Sequence, residues 1–460
     1  MTQLKLRTQH YLNRYFSGES MNYRQMYALF LPILIDQAFI IGLNLVNTAM
    51  ISSSGVDAVS AVNMVDSLNI FLIHVFIAVA TGGTVVVAQY KGSGNDQMVA
   101  RATSGSIVSV TLLSIAIGVL IIALHSPLMR ILFGAASPDV LHSAKIYLIG
   151  SAVSFAGLAV VQAVCGALRG IGKSRVSLFL SLIMNVLYML LNVLYIQVLD
   201  MGVWGMTLAI NIARFAGAAC ALYYLFKIDT TLHLRIRDLF RIPLSMLRKI
   251  MFIGLPFAAE QMFFNGGKLL TQVFIVGLGT YAIAANAIAG TLIMIFQIPA
   301  SALSLTIVTV VGQSIGSGNI QDARKFIRSF LWLGSAFMVL TGVLLMPFYA
   351  PLVGIFSPPA EIADDIFLLM IITVIVQIPL WAVSFILPSA LRAAGDARFT
   401  STSSMLTMWL FRVILGYVLG ITFGWGILGV WIAMNLEWGI RGAVFMWRFR
   451  GEEWYKHKLI

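Results

Sequence analysis

Two carboxylates matter because of where the chain puts them. Asp36 follows Pro32 by four residues in Leu31-Pro32-Ile33-Leu34-Ile35-Asp36, and Glu260 follows Pro256 by four. Each lies in a run of Leu, Ile, Phe and Ala long enough to cross a bilayer, where a charge costs roughly 2.5–3.5 kcal/mol even on lenient insertion scales. Such a group must face the protein interior or water. Burial disfavours the charged form of a carboxylate, which lets the group load and release protons, and an unpaired one can also bind Na+ or attract an organic cation. Asp36 and Glu260 are therefore the expected ion-coupling residues, with Na+ near either as an alternative to H+. The competing reading locks each acid in a structural ion pair. Lys268, two turns along the same helix, is the expected partner of Glu260, and no base stands near Asp36 in sequence.

Uncharged polar residues in other apolar runs mark an expected substrate cavity. Asn44 and Asn47 share the first span with Gln37, and Asn185, Tyr188 and Asn192 step by three and four, hence along one helix face. Gln261 follows Glu260. Gln297 and Gln377 both occur in the phrase Gln-Ile-Pro, which suggests kinked helices with freed carbonyls. Phe263, with Phe264, Met262 and Trp381, could form an adaptable apolar wall. Hydrogen bonding between helices is the plainer reading of each polar residue. Glu437 and Arg441 have the spacing of a helical salt bridge, and Arg214 is either their counterpart or a snorkelling side chain. His74 is a proton relay or a histidine hydrogen-bonded to a neighbouring backbone, and Asp66 is expected near the outer surface, solvated. Cys165 and Cys220 read as small core residues. No zinc spacing, nucleotide loop or nucleophile elbow occurs, so no cofactor is expected and uphill work must draw on an ion gradient or a partner subunit.

The elements that position these groups are membrane helices. The chain is 59% hydrophobic and 10% charged, with a mean hydropathy of +0.92. Runs of about 20 apolar residues span a bilayer as helices, because lipid offers backbone groups no partner. Twelve spans are expected, six near 26–51, 60–89, 103–125, 144–168, 177–199 and 203–226, and six near 249–277, 284–313, 328–348, 366–391, 402–422 and 427–447. The halves are copies. Gln89-Tyr90-Lys91-Gly92-Ser93-Gly94-Asn95 returns 224 residues later as Gln313-Ser314-Ile315-Gly316-Ser317-Gly318-Asn319, and Pro32, Asp36 and Gln37 return as Pro256, Glu260 and Gln261. Gly202, Gly205 and Asn211 match Gly426, Gly429 and Asn435, while Leu168-Arg169 matches Leu391-Arg392 at an offset of 223. An ordered run of matches means duplication, and duplicated halves in a membrane chain point to a transporter. The domain expectation is a lobe over 1–226, a cytoplasmic linker over 227–248 and a second lobe over 249–460.

With the N-terminus inside, the inner segments hold 24 of the 30 Lys and Arg, so both termini should be cytoplasmic and the +12 net charge is largely a topology signal. Its spread over many loops argues against a nucleic-acid partner. Residues 1–24 are polar, basic and aromatic, suited to the inner membrane surface. The two glycine turns are either gate elements or helix C-caps.

These features together resemble the multidrug and toxic compound extrusion (MATE) family of bacterial type. The likeness rests on Pro32 with Val46-Asn47-Thr48, the glycine turn after Gln313, the Leu168-Arg169 and Leu391-Arg392 loops, and Gly202/Gly205 with Gly426/Gly429. The resemblance implies an all-α membrane protein: twelve transmembrane helices in two pseudo-symmetric six-helix bundles, V-shaped around one cavity. It implies a monomer of the bacterial cytoplasmic membrane, among membrane lipids, exporting amphipathic cationic small molecules in exchange for H+ or Na+ by alternating access. The family commonly carries Asp where this chain has Asn47. Asp36 lies eleven residues earlier on the same face, roughly 16 Å along the axis, and is the expected replacement, with Glu260 sharing its task. The alternatives are a flippase for lipid-linked precursors, which would need a more basic cavity of the kind Lys268 and Arg214 could begin, and a membrane-embedded lipid-modifying enzyme.

Overall fold

The computed structural model describes residues 2–51, 55–133, 137–232, 234–354, 356, 358–457 and 459–460, without the side chains of 2–8, 44–45, 47–49, 51, 56, 132–133 and 360. Asn44 and Asn47 thus lie outside the described side chains. The helices run α1 Thr2–Phe16, α2 Tyr23–Ile51, α3 Val56–Gly92, α4 Asp96–Phe133, α5 Pro138–Gly170, α6 Ser174–Asn192, α7 Gly202–Tyr223, α8 Leu244–Gly277, and α9 Thr280–Phe296. They continue as α10 Ile298–Gly316, α11 Ile320–Leu345, α12 Tyr349–Gly354, α13 Ala360–Trp381, α14 Leu387–Ala393, α15 Ala397–Thr407, α16 Leu415–Tyr417 and α17 Gly426–Arg450. Wider π turns over Val193–Val198, Tyr224–Ile228, Ala382–Ile386, Met408–Ile414 and Val418–Thr422 lengthen or join several of these.

Ten helices among the described residues are long and apolar enough to cross a membrane. The twelve expected spans differ from these by α8 and α17. Both are long enough, at 34 and 25 residues, but they carry Glu260 with Lys268 and Glu437 with Arg441, which lowers their hydropathy. The eighth expected span divides at Gln297 into the 17-residue α9 and the 19-residue α10. Pro299, with no N–H, stands in the first turn of α10, where none is needed. The other Gln-Ile-Pro phrase leads into the π turn after Trp381.

The chain forms two compact units, one of Ile35–Ala258 and one of Met1–Leu34 with Ala259–Ile460. The expected linker, 227–248, lies inside the unit Ile35–Ala258. The units instead part within two continuous helices, α2 and α8, each two residues after the proline of its copy. The two division points are one repeat apart.

In the unit Ile35–Ala258, small residues bring backbones together. A Cβ on Gly82 of α3 would stand 2.7 Å from the Ile250 carbonyl of α8, and one on Gly157 of α5 would stand 2.9 Å from the Arg214 backbone of α7. Such contacts hold helices where lipid offers no hydrophobic drive to pack. Cys165 is buried, whereas Cys220 is exposed, contrary to its expected place in the core. In the other unit α1 is tied to α11. The Ser329 hydroxyl donates to the Tyr15 carbonyl at 2.7 Å, Ser20 N and Oγ donate to the Asp322 carboxylate at 2.8 and 2.9 Å, and Phe16 meets Phe330 at 6.2 Å.

The repeated seven-residue phrase is a structural turn in both copies. Asn95 N donates to the Tyr90 carbonyl and Gly94 N to Lys91, each at 3.2 Å; Asn319 N donates to Ser314 and Gly318 N to Ile315, each at 3.0 Å. Gly94 and Gly318 have φ of 73° and 76°, which glycine adopts without a Cβ penalty. The Asn side chains then cap the next helix, accepting from Met98 N at 3.1 Å and Asp322 N at 2.9 Å. Of the two readings, C-cap and gate, the bonds account for the first.

Candidate functional site

Each unit holds an acid, an arginine and a serine at positions related by the repeat. In the unit with Ala259–Ile460, Glu260 Oε2 accepts from Arg392 Nη1 at 2.8 Å and from the Ser401 hydroxyl at 2.9 Å. Lys268, the expected partner, is elsewhere; the partner comes from α14, through the arginine of the Leu391-Arg392 match. Both charges are buried, Glu260 at 8% exposure and Arg392 at 6%. In the unit Ile35–Ala258, Asp36 is equally buried at 8%, but its Oδ1 has no hydrogen-bond partner among the described residues. The Ser181 hydroxyl and the charge of Arg169 act on Asp36, while Arg169 Nη1 donates to Ser177 Oγ at 3.2 Å. Asn185 joins this group through Ser181, donating to its carbonyl at 2.9 Å and its hydroxyl at 3.3 Å. Gln37 is half-buried beside Asp36 in sequence. Ser177 and Ser401 are one repeat apart, so the same three residue types stand at matching positions in both units, with a direct acid–serine bond in the Glu260 group.

A second polar group in Ile35–Ala258 gathers three further expected residues. Tyr188 is within hydrogen-bonding reach of Asn192 and Tyr147, and Tyr147 donates to Asp66 Oδ1 at 2.9 Å. Asn69 bridges Asp66 at 3.3 Å and Ser151 at 3.1 Å, and Arg214 Nη1 donates to Ser154 Oγ at 2.7 Å. Asp66, half-buried, is thus bonded to Tyr147 and Asn69, and Arg214 to Ser154. The signal for this group was the step of three and four on α6 together with the helix-packing depth of Asp66, which sequence alone does not give. His74 Nδ1 donates to the Ile70 carbonyl at 2.7 Å, the plainer of its two readings.

In the unit with Ala259–Ile460, Glu437 and Arg441 pair at 3.0 Å, fully buried. Arg412, absent from the expected set, stands over Phe264 at 5.7 Å, as do Lys268 at 4.8 Å and Arg441 at 6.0 Å. Phe263 is half exposed and meets Trp409 edge-on at 6.2 Å. The Gln261 carbonyl accepts from Asn265 at 2.8 Å. Gln377 is completely buried, and neither its Oε1 nor its Nε2 has a partner among the described residues. Gln297 stands at the junction of α9 and α10, and its side chain makes no capping bond there.

Comparison with known proteins follows the same architecture. The sequence profile of the MatE family matches residues 32–194 and again 256–418, two stretches one repeat apart. Among relatives, the Bacillus subtilis protein named "Uncharacterized transporter YisQ" is 28% identical over 93% of this chain and 94% of its own length. The Thermotoga maritima protein named "Probable multidrug resistance protein NorM" is 27% identical, over 95% of this chain and 94% of its own. A solved outward-facing MATE transporter of the MOP superfamily superimposes with a TM-score of 0.84 at 18% identity, covering 94% of this chain and 96% of that one. A MOP superfamily transporter from Pyrococcus furiosus does so with a TM-score of 0.82 at 19% identity, covering 93% and 94%. These relatives are transporters and not enzymes, and the chain's helices are those of a multi-pass membrane protein. The chain belongs to the MatE family of membrane transporters.

Proposed function

We propose that this chain exports amphipathic small molecules by alternating access, driven by inward flow of protons, and that Asp36 carries the proton. The observation that carries the reading is the asymmetry between the two repeat-related acids. Glu260 has its charge answered by Arg392, and the same carboxylate oxygen, Oε2, also accepts from Ser401. Asp36 keeps one carboxylate oxygen without a partner among the described residues, inside an apolar span. A buried charge that no opposite charge and no full set of hydrogen bonds answers is costly, which makes Asp36, rather than the paired Glu260, the proposed carrier. Pro32 and Pro256 support the motion. Each removes a backbone hydrogen bond from a continuous helix close to the point where the chain passes from one compact unit to the other. The transporter works as a monomer in the bacterial cytoplasmic membrane with both termini inside, and Na+ is the competing coupling ion.

The test is dye efflux from proteoliposomes under an imposed pH or sodium gradient, applied one at a time. Wild-type protein is expected to respond to the pH gradient alone, and Asp36→Asn is expected to bind dye but lose gradient-driven efflux. Full gradient-driven efflux by Asp36→Asn would sink the proposal.

A further inference from the structure

Three cations converge on one aromatic ring inside the unit that contains Ala259–Ile460. The Lys268 ammonium is 4.8 Å from the centre of the Phe264 ring, the Arg412 guanidinium 5.7 Å and the Arg441 guanidinium 6.0 Å. Arg441 also lies 4.4 Å over Phe385. One carboxylate answers all three: Glu437, 3.0 Å from Arg441. The neighbouring Arg392 and Glu260 neutralise each other at 2.8 Å. Four cations against two acids leave an excess of two positive charges among helices that lie in a membrane protein. Cation–π attraction to Phe264 and Phe385 offsets part of their mutual repulsion, but aromatic faces cannot replace the water or counter-anion that a buried guanidinium has lost.

The donors also lack acceptors. Arg441 is 2% exposed, and its Nε and Nη2 have no hydrogen-bond partner among the described residues; the buried Nε of Arg412 has none either. Lys268 is exposed, so the group is not sealed within the unit. Buried donors are normally satisfied, and planar guanidinium forks match carboxylate and phosphate oxygens.

We propose that Lys268, Arg412 and Arg441 form a binding site for an anionic group, a carboxylate, sulfonate or phosphate, carried on an apolar body that packs on Phe264 and Phe385. The site gives the exporter an acidic amphipathic substrate class. Its role in transport rests on the exporter reading above, whereas binding does not.

The experiment uses the full chain in phosphatidylcholine nanodiscs with a dianionic fluorescein-type dye as probe, read by fluorescence polarisation. Lys268→Gln/Arg412→Gln should weaken dye binding at least about tenfold, one charge-assisted contact's worth, and Lys268→Arg/Arg412→Lys should restore it. A cationic rhodamine-type dye should bind the Gln pair no more weakly than wild type. Phosphatidylglycerol added to the discs separates the two sources of such a ligand. Competition seen in wild type and absent in the Gln pair assigns the site to a lipid phosphate; absence of competition assigns it to a free organic anion. Equal dye affinity in wild type and the Gln pair, or no dye binding by wild type in phosphatidylcholine alone, overturns the proposal. No gradient is involved, so failure here leaves coupling by Asp36 standing, and failure of that coupling leaves this measurement untouched.

Discussion

The repeat-related acids should respond to neutralisation in opposite ways, and the difference is large enough to measure. Glu260→Gln leaves Arg392 as a cation at 6% exposure with its carboxylate gone. Breaking a buried pair by removing one partner costs roughly 3–5 kcal/mol. Arg392→Met leaves Glu260 with only the Ser401 hydroxyl at 2.9 Å and should cost a similar amount, roughly 3–5 kcal/mol. The double variant removes both charges and replaces them with groups of similar volume, a change that is often neutral, so its cost should fall well below either single loss. The cycle should therefore return a coupling energy of about 3 kcal/mol or more. By contrast, hydrogen-bonded pairs in membrane proteins average about 0.6 kcal/mol. Asp36→Asn keeps a group able to bond Ser181 and removes a charge with an unmet oxygen, so its stability change should be within about 1 kcal/mol of zero or favourable. Equilibrium unfolding in mixed micelles reads all four variants. Additive single losses, with coupling under about 1 kcal/mol, would refute the claim that Glu260 and Arg392 form a desolvated lock.

Other predictions follow from packing and from a loop outside the membrane. Gly82→Ala should destabilise by about 1–3 kcal/mol because its Cβ would stand 2.7 Å from the Ile250 carbonyl, whereas Gly42→Ala, which meets nothing within 4 Å, should gain about 0.5–1 kcal/mol; unfolding of both variants checks the sign. Burial pushes the Asp229 carboxyl up, but hydrogen bonds from Lys173, from Leu232 N and from Thr231 more than offset it and hold the group below its ordinary value. That stability is present above the unfolded value, about 3.9, and is lost as pH falls through the lower folded value. The gap in melting temperature between wild type and Asp229→Asn should stay constant from about pH 7 to 5 and close below about pH 4; a gap that grew on acidification would contradict the assignment. A Cβ on Gly18 would stand 2.2 Å from the Asp322 carboxylate, so Gly18→Ala should loosen the Ser20–Asp322 bonds and speed hydrogen exchange at residues 17–23; unchanged exchange would show that the side chain simply steps aside.

Much of this architecture could be read from residue order, because duplication and hydropathy are properties of long runs. The repeat that links Pro32 to Pro256 also locates the family match and both unit boundaries. What escaped was lateral contact. Arg392 was visible as the repeat mate of Arg169, but nothing in sequence says that a helix-end arginine reaches across to Glu260, whereas Lys268, on the acid's own helix, was the obvious candidate. Arg412 escaped because a single arginine in an apolar span carries no spacing signal; its meaning comes from sharing the Phe264 ring with residues of α8 and α17. The place of Asp66 in its polar group escaped because a bond to Tyr147 on another helix is invisible along the chain. The boundaries within α2 and α8 escaped for a related reason. Composition does not change there, and only packing shows which part of a continuous helix joins which unit.

Proton movement itself gives the sharpest test. With a pH-sensitive dye sealed inside proteoliposomes and an outside-acid or outside-alkaline gradient held across them, substrate added to wild-type protein should speed dissipation of the gradient, and Asp36→Asn should abolish that response while Glu260→Gln, where it folds, keeps part of it. Substrate-linked proton flux that survives loss of the Asp36 carboxyl, or transport that answers only to sodium, would contradict the account.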